Sequence, residues 1–503
     1  MTITPNYDTY DYTSKGAVIQ SQSIVECRLV DWAENRVLAV SPVAVCGETE
    51  VLSGEIRYGG KLLFSVAAAS QDGTLISAER GVEFTHRARC ESAAPAQQAE
   101  VFLTVEKTER RTEGRSVVLS AVVTAHIRLR IPSRLRYLSG GEGVVCDLAP
   151  VRVPYACLCR GRAELEEEFD TDYVSDVLLH SEQIYVTRAV CSAGCLEVSG
   201  EVVLGVLAGK DGGKDAVSYE RTMPFRAEIV CDEAVSGMAC RAVAKISSAR
   251  LTCACDEDKG RCRILAQIEA EIYGKAYRAS ELLTARDAFC IGKTVSLTRE
   301  SLNFEEPVCA FTATERVLGT AVFGGTLDEN CVLQAAALCG VQAAAAAEDG
   351  CVTVEGVFNA YAFYKDGSGT PRAEPFSLPF SFPVRSDRAS AGMRAEVTAV
   401  VCGVAARQKQ AGELEAEGSL KLYVTLYSPV VGSYVRELTL GEDLPESDGA
   451  VGVYFPSAGD TLWETAKKLG KTPDEVQKLC PQEKFPLTGK ERIVFWRQKK
   501  PNA

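Results

Sequence analysis

Histidine is the residue that many hydrolases and zinc enzymes depend on, and this chain has only three: His86, His126 and His180. None belongs to a His-Glu-x-x-His pair, and none stands beside a plausible nucleophile in the sequence. General acid–base catalysis by histidine and a catalytic zinc site both need such arrangements. The sequence therefore disfavours these two classes of enzyme.

Cysteine is plentiful, with 20 residues in a chain of 503. The close pairs are Cys157/Cys159, Cys191/Cys195 and Cys253/Cys255. A Cys-x-Cys pair in a strand puts both sulfur atoms on one face, where they could bind a metal or pack in the core. The sequence has no pair of Cys-x-x-Cys motifs of the zinc-binding kind. We expect reduced thiols that are buried as small apolar side chains, without a metal.

An acidic run between Glu164 and Asp172 raises the question of calcium binding. It lacks the glycine turn and the ligand spacing of an EF-hand loop, so we interpret it as the solvated face of a strand. The sequence also offers no phosphate-binding loop and no nucleophile–base pair. We therefore predict that the protein is not an enzyme and needs no cofactor.

The composition indicates an ordinary globular protein of three or four domains, with 46% hydrophobic and 24% charged residues. Its 55 basic and 68 acidic residues give a net charge of -13, which disfavours nucleic acid as a partner. The first residues do not resemble a secretory signal, and no apolar run reaches about 18 residues. We expect a cytoplasmic protein without a transmembrane segment.

An internal repeat is marked by a glycine and a phenylalanine at a nearly fixed spacing. The spacing is 24 residues from Gly60 to Phe84, 25 from Gly200 to Phe225 and 24 from Gly356 to Phe380. Each copy continues into a segment in which apolar and polar residues alternate, at 123–131, 264–272 and 420–427. Such alternation predicts strands with one buried and one solvated face.

These patterns predict a mainly β fold with three antiparallel, sandwich-like repeats, at 15–150, 155–285 and 290–445. The alanine-rich segment 333–347 is ambiguous, because its composition favours a helix and its place in the repeat favours a strand. We follow the repeat and predict a strand.

The last part of the chain, 452–497, changes character. Thr461 and Thr472 are each followed three residues later by glutamate, which predicts two capped helices, and Gly470 is placed to end the first. Short apolar segments precede and follow the helices. We predict a small strand–helix–helix–strand domain. Trp463, in the first turn of its first helix, could belong to the core or to a contact surface.

This tail resembles the LysM family, through Gly-Asp-Thr-Leu-Trp at 459–463, Ala-Lys-Lys-Leu-Gly at 466–470 and Pro-Leu at 486–487. The family usually binds N-acetylglucosamine polymers such as peptidoglycan, in a groove between two loops. The groove residues that the resemblance implies are Gly459, Asp460, Thr461, Leu462, Cys480, Pro481, Pro486 and Leu487. Cys480 replaces the asparagine usual in the family, and Pro456 replaces a valine-like residue.

The repeats resemble the SPOCS repeat of spore coat assembly proteins, through 51–56 leading to Gly60, the Pro-Phe elements, and Asp-Ala-Phe-Cys at 287–290. SPOCS repeats followed by a LysM domain are typical of SipL-like morphogenetic proteins of spore-forming clostridia. The resemblance implies a scaffold in the mother-cell cytoplasm, at the forespore surface, whose LysM domain docks a SpoIVA-like coat-basement ATPase or another coat protein. The alternative is a carbohydrate-binding protein of the cell or spore wall.

Overall fold

The computed structural model describes residues 3–256, 260–302, 304–323, 327–430, 432–444 and 451–496. Strands account for 78% of the structure and helices for 3%, so the predicted mainly β class is confirmed. In the part of the chain that the structure describes, neither of the two helices has the length or the apolar character to cross a membrane.

The described strands fall into three groups of six, one additional pair, and a short C-terminal module. Unit 1 comprises β1 (Thr4–Leu29), β2 (Arg36–Leu52), β3 (Glu55–Ala69), β4 (Leu75–Arg89), β5 (Gln98–Glu113) and β6 (Ser116–Glu142). Unit 2 comprises β7 (Val144–Asp172), β8 (Val174–Ser192), β9 (Cys195–Lys210), β10 (Asp215–Val230), β11 (Ala239–Asp256) and β12 (Arg261–Cys290). A connecting strand, β13, spans Lys293–Ser301.

Unit 3 comprises β14 (Phe304–Val322), β15 (Val332–Glu348), β16 (Cys351–Lys365), β17 (Pro371–Arg385), β18 (Arg394–Gln410) and β19 (Glu413–Val430). It is followed by β20 (Ser433–Asp443), which pairs with β13. The C-terminal module comprises β21 (Val451–Tyr454), α1 (Leu462–Leu469), α2 (Pro473–Leu479) and β22 (Ile493–Trp496). Residues 3–444 are called the body below.

The three units share one antiparallel strand order. The first, sixth and fifth strands pair as β1–β6–β5, β7–β12–β11 and β14–β19–β18. The second, third and fourth strands form the meanders β2–β3–β4, β8–β9–β10 and β15–β16–β17. The second strand of each unit also packs on its fifth, so the two sheets enclose a common core.

The glycine–phenylalanine spacing in the sequence corresponds to a cross-strand pair. The two residues lie directly opposite each other in every meander: Gly60 with Phe84, Gly200 with Phe225, and Gly356 with Phe380. A Cβ atom on Gly356 would lie 2.1 Å from the carbonyl oxygen of Gln342 and 2.7 Å from the Phe380 ring. Glycine is required there because a neighbouring backbone and an aromatic ring both approach closely.

Gly356→Ala should destabilise the body by about 1–3 kcal/mol, the usual cost of overpacking a closed site. Gly340, on the adjacent strand β15, is the matched control, because a Cβ atom there would meet no atom within 4 Å. Gly340→Ala should therefore leave stability nearly unchanged. Urea unfolding followed by circular dichroism measures both effects, and equal midpoints for the two variants would contradict this explanation of the repeat glycine.

The alanine-rich segment 333–347 lies in β15, so the predicted strand is confirmed. From residue 341 onward, half-buried and exposed residues alternate along the strand. Ala343, Ala345 and Ala347 pack against the core of unit 3, and β16 supplies the backbone hydrogen-bond partners. Tertiary contacts thus override the helix propensity of alanine.

One apolar cluster connects the three units. It draws on their second and third strands and includes Leu38, Ala69, Leu179, Leu207, Ala335 and Phe363. Because this buried cluster is common to all three units, they are held together by a shared core. The division of the body into domains at 15–150, 155–285 and 290–445 stays a prediction.

Charged residues from the three units converge on one buried carboxylate. Arg128 of unit 1, Arg241 of unit 2 and Arg394 of unit 3 all form ion pairs with Glu396, whose side chain is 11% exposed. Arg128 lies on the polar face of the segment 123–131, which the sequence pattern predicted to be solvated, and its side chain is 43% exposed. Arg241 and Glu396, at 15% and 11% exposed, tolerate burial because they pair with each other across the boundary between two units.

The electrostatics of this junction favour the charged state of Glu396. Burial alone would raise the pKa of its carboxyl group, but Arg241, Arg394 and Arg128 outweigh burial and lower the pKa to about 2. A second bridge joins units 1 and 2, where Lys275 Nζ lies 2.6 Å from Glu100 Oε1. The junction thus consists of paired charges with a structural role.

Candidate partner-binding site

The C-terminal module has the predicted strand–helix–helix–strand order and the predicted helix caps. The Thr461 side chain accepts a hydrogen bond from the Glu464 amide, and the Glu464 carboxylate accepts one from the Thr461 amide. Thr472 and Glu475 form the same capping box on α2, and Gly470 ends α1 with a left-handed φ of 60°. The caps satisfy amide groups that have no partner within the helices.

The two loops predicted to form a groove, at 459–462 and 480–487, lie side by side. The Gly459 amide donates to the Leu487 carbonyl at 2.8 Å, and the Leu487 amide donates to the Asp460 carbonyl at 2.8 Å. The structure therefore brings together the two loops that the sequence singled out, and it joins them through their backbones.

Asp460 fixes the conformation of the first loop. Its carboxylate accepts hydrogen bonds from the Tyr454 hydroxyl at 2.6 Å, the Lys468 ammonium at 2.9 Å and the Ser457 amide at 2.9 Å. These bonds, that from Tyr454 most of all, lower the pKa of Asp460 to about 2. Because Asp460 is buried and fully hydrogen-bonded, its replacement would disturb the module itself rather than probe a contact with a partner.

The eight predicted groove residues differ in exposure. The exposed ones are Gly459, Thr461, Pro481 and Pro486, the half-buried one is Leu462, and the buried ones are Asp460, Cys480 and Leu487. The buried residues stabilise the module: the Cys480 thiol, for example, donates to the Val476 carbonyl at 3.0 Å. The surface that these loops offer to a partner is therefore smaller than the predicted set.

Trp463 joins the module to the body. Its indole N–H donates to the Asp287 carboxylate at 2.9 Å, and its ring packs edge to face on Phe289 with 5.3 Å between the centroids. Lys467 adds an ion pair to Asp287 at 2.8 Å. Asp287 and Phe289, which the repeat resemblance placed at the opening of the third repeat, lie at the end of β12. The body thus occupies this side of α1.

The two-stranded sheet of the module leaves an apolar face uncovered. Val451 and Val453 alternate along β21, Val494 lies opposite Val453, and Phe455 stands at the next alternate position, directly after the end of the strand. In chain order these four residues are 46%, 49%, 66% and 53% exposed. The Arg492 guanidinium lies 5.8 Å from the centre of the Phe455 ring and gives this apolar face a basic rim. Contiguous exposed apolar side chains of this kind are typical of a protein-interaction surface.

The prediction that all cysteines are free thiols is wrong for one pair. Cys255 and Cys262 form a disulfide, because they lie directly opposite each other on the paired strands β11 and β12. Other cysteines, among them Cys157, Cys159, Cys191 and Cys195, are free thiols. Burial raises the pKa of the Cys157 and Cys159 thiols to about 12, so this predicted Cys-x-Cys pair is an unreactive part of the core.

His180 lies between two glutamate side chains. Its ring nitrogens lie 2.6 Å from a Glu182 oxygen and 3.1 Å from a Glu79 oxygen. Burial would lower the pKa of this imidazole, but the two carboxylates outweigh burial and raise the pKa to about 10. A histidine that is already protonated at neutral pH cannot act as a general base. His180 therefore serves as an ionic bridge between units 1 and 2.

Comparison with known proteins identifies no relative. No protein-family model matches the chain, and searches of the curated proteins and of the solved structures find no significant match. The resemblance to SPOCS repeats and to the LysM family consequently stays a prediction from the residues quoted above.

Proposed function

We propose that the protein is a non-enzymatic scaffold for assembly of the spore coat. In this proposal units 1 to 3 are SPOCS repeats, and the C-terminal module is a LysM domain that docks a coat morphogenetic protein during sporulation. The partner implied by the resemblance is a SpoIVA-like coat-basement ATPase at the forespore surface, in the mother-cell cytoplasm.

The observation that carries this proposal is the apolar face of β21 and β22. Its four large side chains are about half exposed, and they belong to a module that the body anchors through Asp287 and Phe289. An apolar face with a basic rim fits a protein surface that combines apolar and acidic residues. The body supports a scaffold role, because a shared core and paired charges hold its three units together.

Glycan binding by the two loops is the alternative function. It depends on the exposed part of the predicted groove, namely Gly459, Thr461, Pro481 and Pro486. Sugar recognition needs polar groups placed to hydrogen-bond hydroxyls, and the Asp460 carboxylate in this region is already occupied within the module. The geometry therefore favours a protein partner.

Phe455→Glu in the full-length chain should weaken capture of the coat-basement ATPase at least about 30-fold, because an apolar anchor of an interface contributes roughly 2 kcal/mol or more. Val230→Glu is the matched control, because Val230 is 74% exposed on strand β10 of the body. The control should bind as the wild type does. Binding to an immobilised ATPase, measured by surface plasmon resonance, gives both affinities; equal losses, or no loss, would refute docking through this face.

A further inference from the structure

Three cysteines lie together at the end of the β11–β12 hairpin. Cys253 and Cys255 are two residues apart in β11 and share a face, and Cys262 is the cross-strand partner of Cys255. The three sulfur atoms all lie within 4.8 Å of one another. Cys255 and Cys262 form the disulfide, and the free Cys253 Sγ lies 3.5 Å from Cys255 Sγ.

This thiol cluster (Cys253, Cys255 and Cys262) is buried on one side and open to solvent on the other. Cys262 is buried, and the Val174 amide donates to its sulfur at 3.2 Å. Cys253 and Cys255 are exposed at the surface of unit 2. The Val174 carbonyl oxygen also lies 3.2 Å from Cys255 Sγ and 3.3 Å from Cys262 Sγ, so this one residue fixes the position of both sulfur atoms, and the exposed side admits solutes.

We propose that the reduced cluster is a zinc site, in which the sulfur atoms of Cys253, Cys255 and Cys262 bind one Zn²⁺ and a water molecule completes the tetrahedron. Tetrahedral zinc with Zn–S bonds of about 2.3 Å requires sulfur atoms about 3.8 Å apart. Cys253 Sγ already lies 3.5 Å from Cys255 Sγ, and reduction of the disulfide frees the Cys255 and Cys262 sulfur atoms to separate towards that spacing, on the two paired strands that hold them. Thiolates select a thiophilic cation such as zinc over calcium or magnesium, which prefer oxygen ligands.

The disulfide makes the site dependent on redox state. Two molecules of a small thiol reduce it: each gives up one hydrogen, the S–S bond breaks, Cys255 and Cys262 become thiols, and the reductant leaves as its own disulfide. Binding of Zn²⁺ then releases three protons, one from each cysteine. The oxidised chain retains only the Cys253 thiol at this place and has too few ligands for the metal. This site would replace the expectation, drawn from the sequence, that no cysteine binds a metal.

Zinc titration of the full-length chain tests the proposal. After reduction and removal of the reductant under anaerobic conditions, the wild type should bind one equivalent of Zn²⁺ tightly in competition with a chromophoric chelator. Cys253→Ser should weaken binding at least about 100-fold, beyond the loss expected for a residue that only supports a ligand. Because Cys253 is exposed, this variant should keep the fold. Cd²⁺ should give a thiolate charge-transfer band in the wild type that is much weaker in the variant.

Two controls separate this site from the other cysteines. Cys351→Ser, at the start of β16 in unit 3, should bind zinc as the wild type does. The oxidised wild type, with its disulfide intact, should lack the tight equivalent. The proposal is overturned if the reduced wild type has no tight site, or if Cys253→Ser binds zinc as tightly as the wild type.

Discussion

Glu396→Ala should lower the free energy of unfolding by about 3–5 kcal/mol, the usual cost of removing one partner from a buried ionic group. The reason is that Arg128, Arg241 and Arg394 would remain at the junction without the carboxylate that they share. Each arginine belongs to a different unit, so the loss should affect the association of all three. Urea unfolding followed by circular dichroism measures the change.

The matched control is Glu113→Ala, which removes the glutamate of two exposed ion pairs, with Arg111 and with Arg28. Exposed pairs contribute little, so this variant should keep the wild-type midpoint. Equal midpoints for Glu396→Ala and Glu113→Ala would show that the junction does not depend on its charges.

Low pH should remove the stabilisation that the ionised Glu396 side chain contributes. The pKa of Glu396 is about 2 in the folded protein and 4.5 without its surroundings, so the folded state binds its proton less readily than the unfolded state. The stabilisation is therefore present above about pH 4.5 and is lost as the pH falls towards 2. The stability difference between the wild type and Glu396→Gln should shrink over that interval.

Deletion of residues 452–503 should abolish both capture of the partner and localisation at the assembling coat. Both loops and three of the four residues of the apolar face lie in the deleted part, whereas the cores of the three units lie in the body. The truncated chain should keep the β-sheet circular dichroism of the full-length protein. It should be less soluble, because the deletion uncovers Phe289.

Fluorescence microscopy of tagged full-length and truncated chains in sporulating cells measures localisation, and circular dichroism of the purified truncated chain checks the fold. A truncated chain that still reaches the coat would assign docking to the body. A truncated chain that does not fold would show that the module is part of the body's core.

The sequence alone predicts the features of the fold that depend on local order. The alternation of apolar and polar residues identifies the long strands. The fixed sequence separation of Gly356 and Phe380 corresponds to one cross-strand pair in a meander. The junction between units is not predictable in this way. Arg128 and Glu396 are 268 positions apart, and in the sequence both are merely polar residues in alternating strands.

The candidate site also combines features that the sequence predicts with features that it does not. Thr461 and Thr472 identify both helix starts, because caps are local signals. The contact of Trp463 with Asp287 spans 176 positions and has no local signal. The disulfide partner of Cys255 does have a local signal, because Cys262 lies opposite it on the next strand of the chain. The apolar face also has one, the alternation of Val451, Val453 and Phe455.

A single binding experiment decides between a scaffold and a glycan-binding protein. One sample of the purified full-length protein is mixed with insoluble peptidoglycan, and binding is measured by sedimentation. A second sample is passed over the immobilised coat-basement ATPase, and binding is measured by surface plasmon resonance. The scaffold account predicts saturable binding to the ATPase that Phe455→Glu removes, with the protein left in solution in the peptidoglycan arm. Tight sedimentation with peptidoglycan, together with no binding to the ATPase, would contradict it.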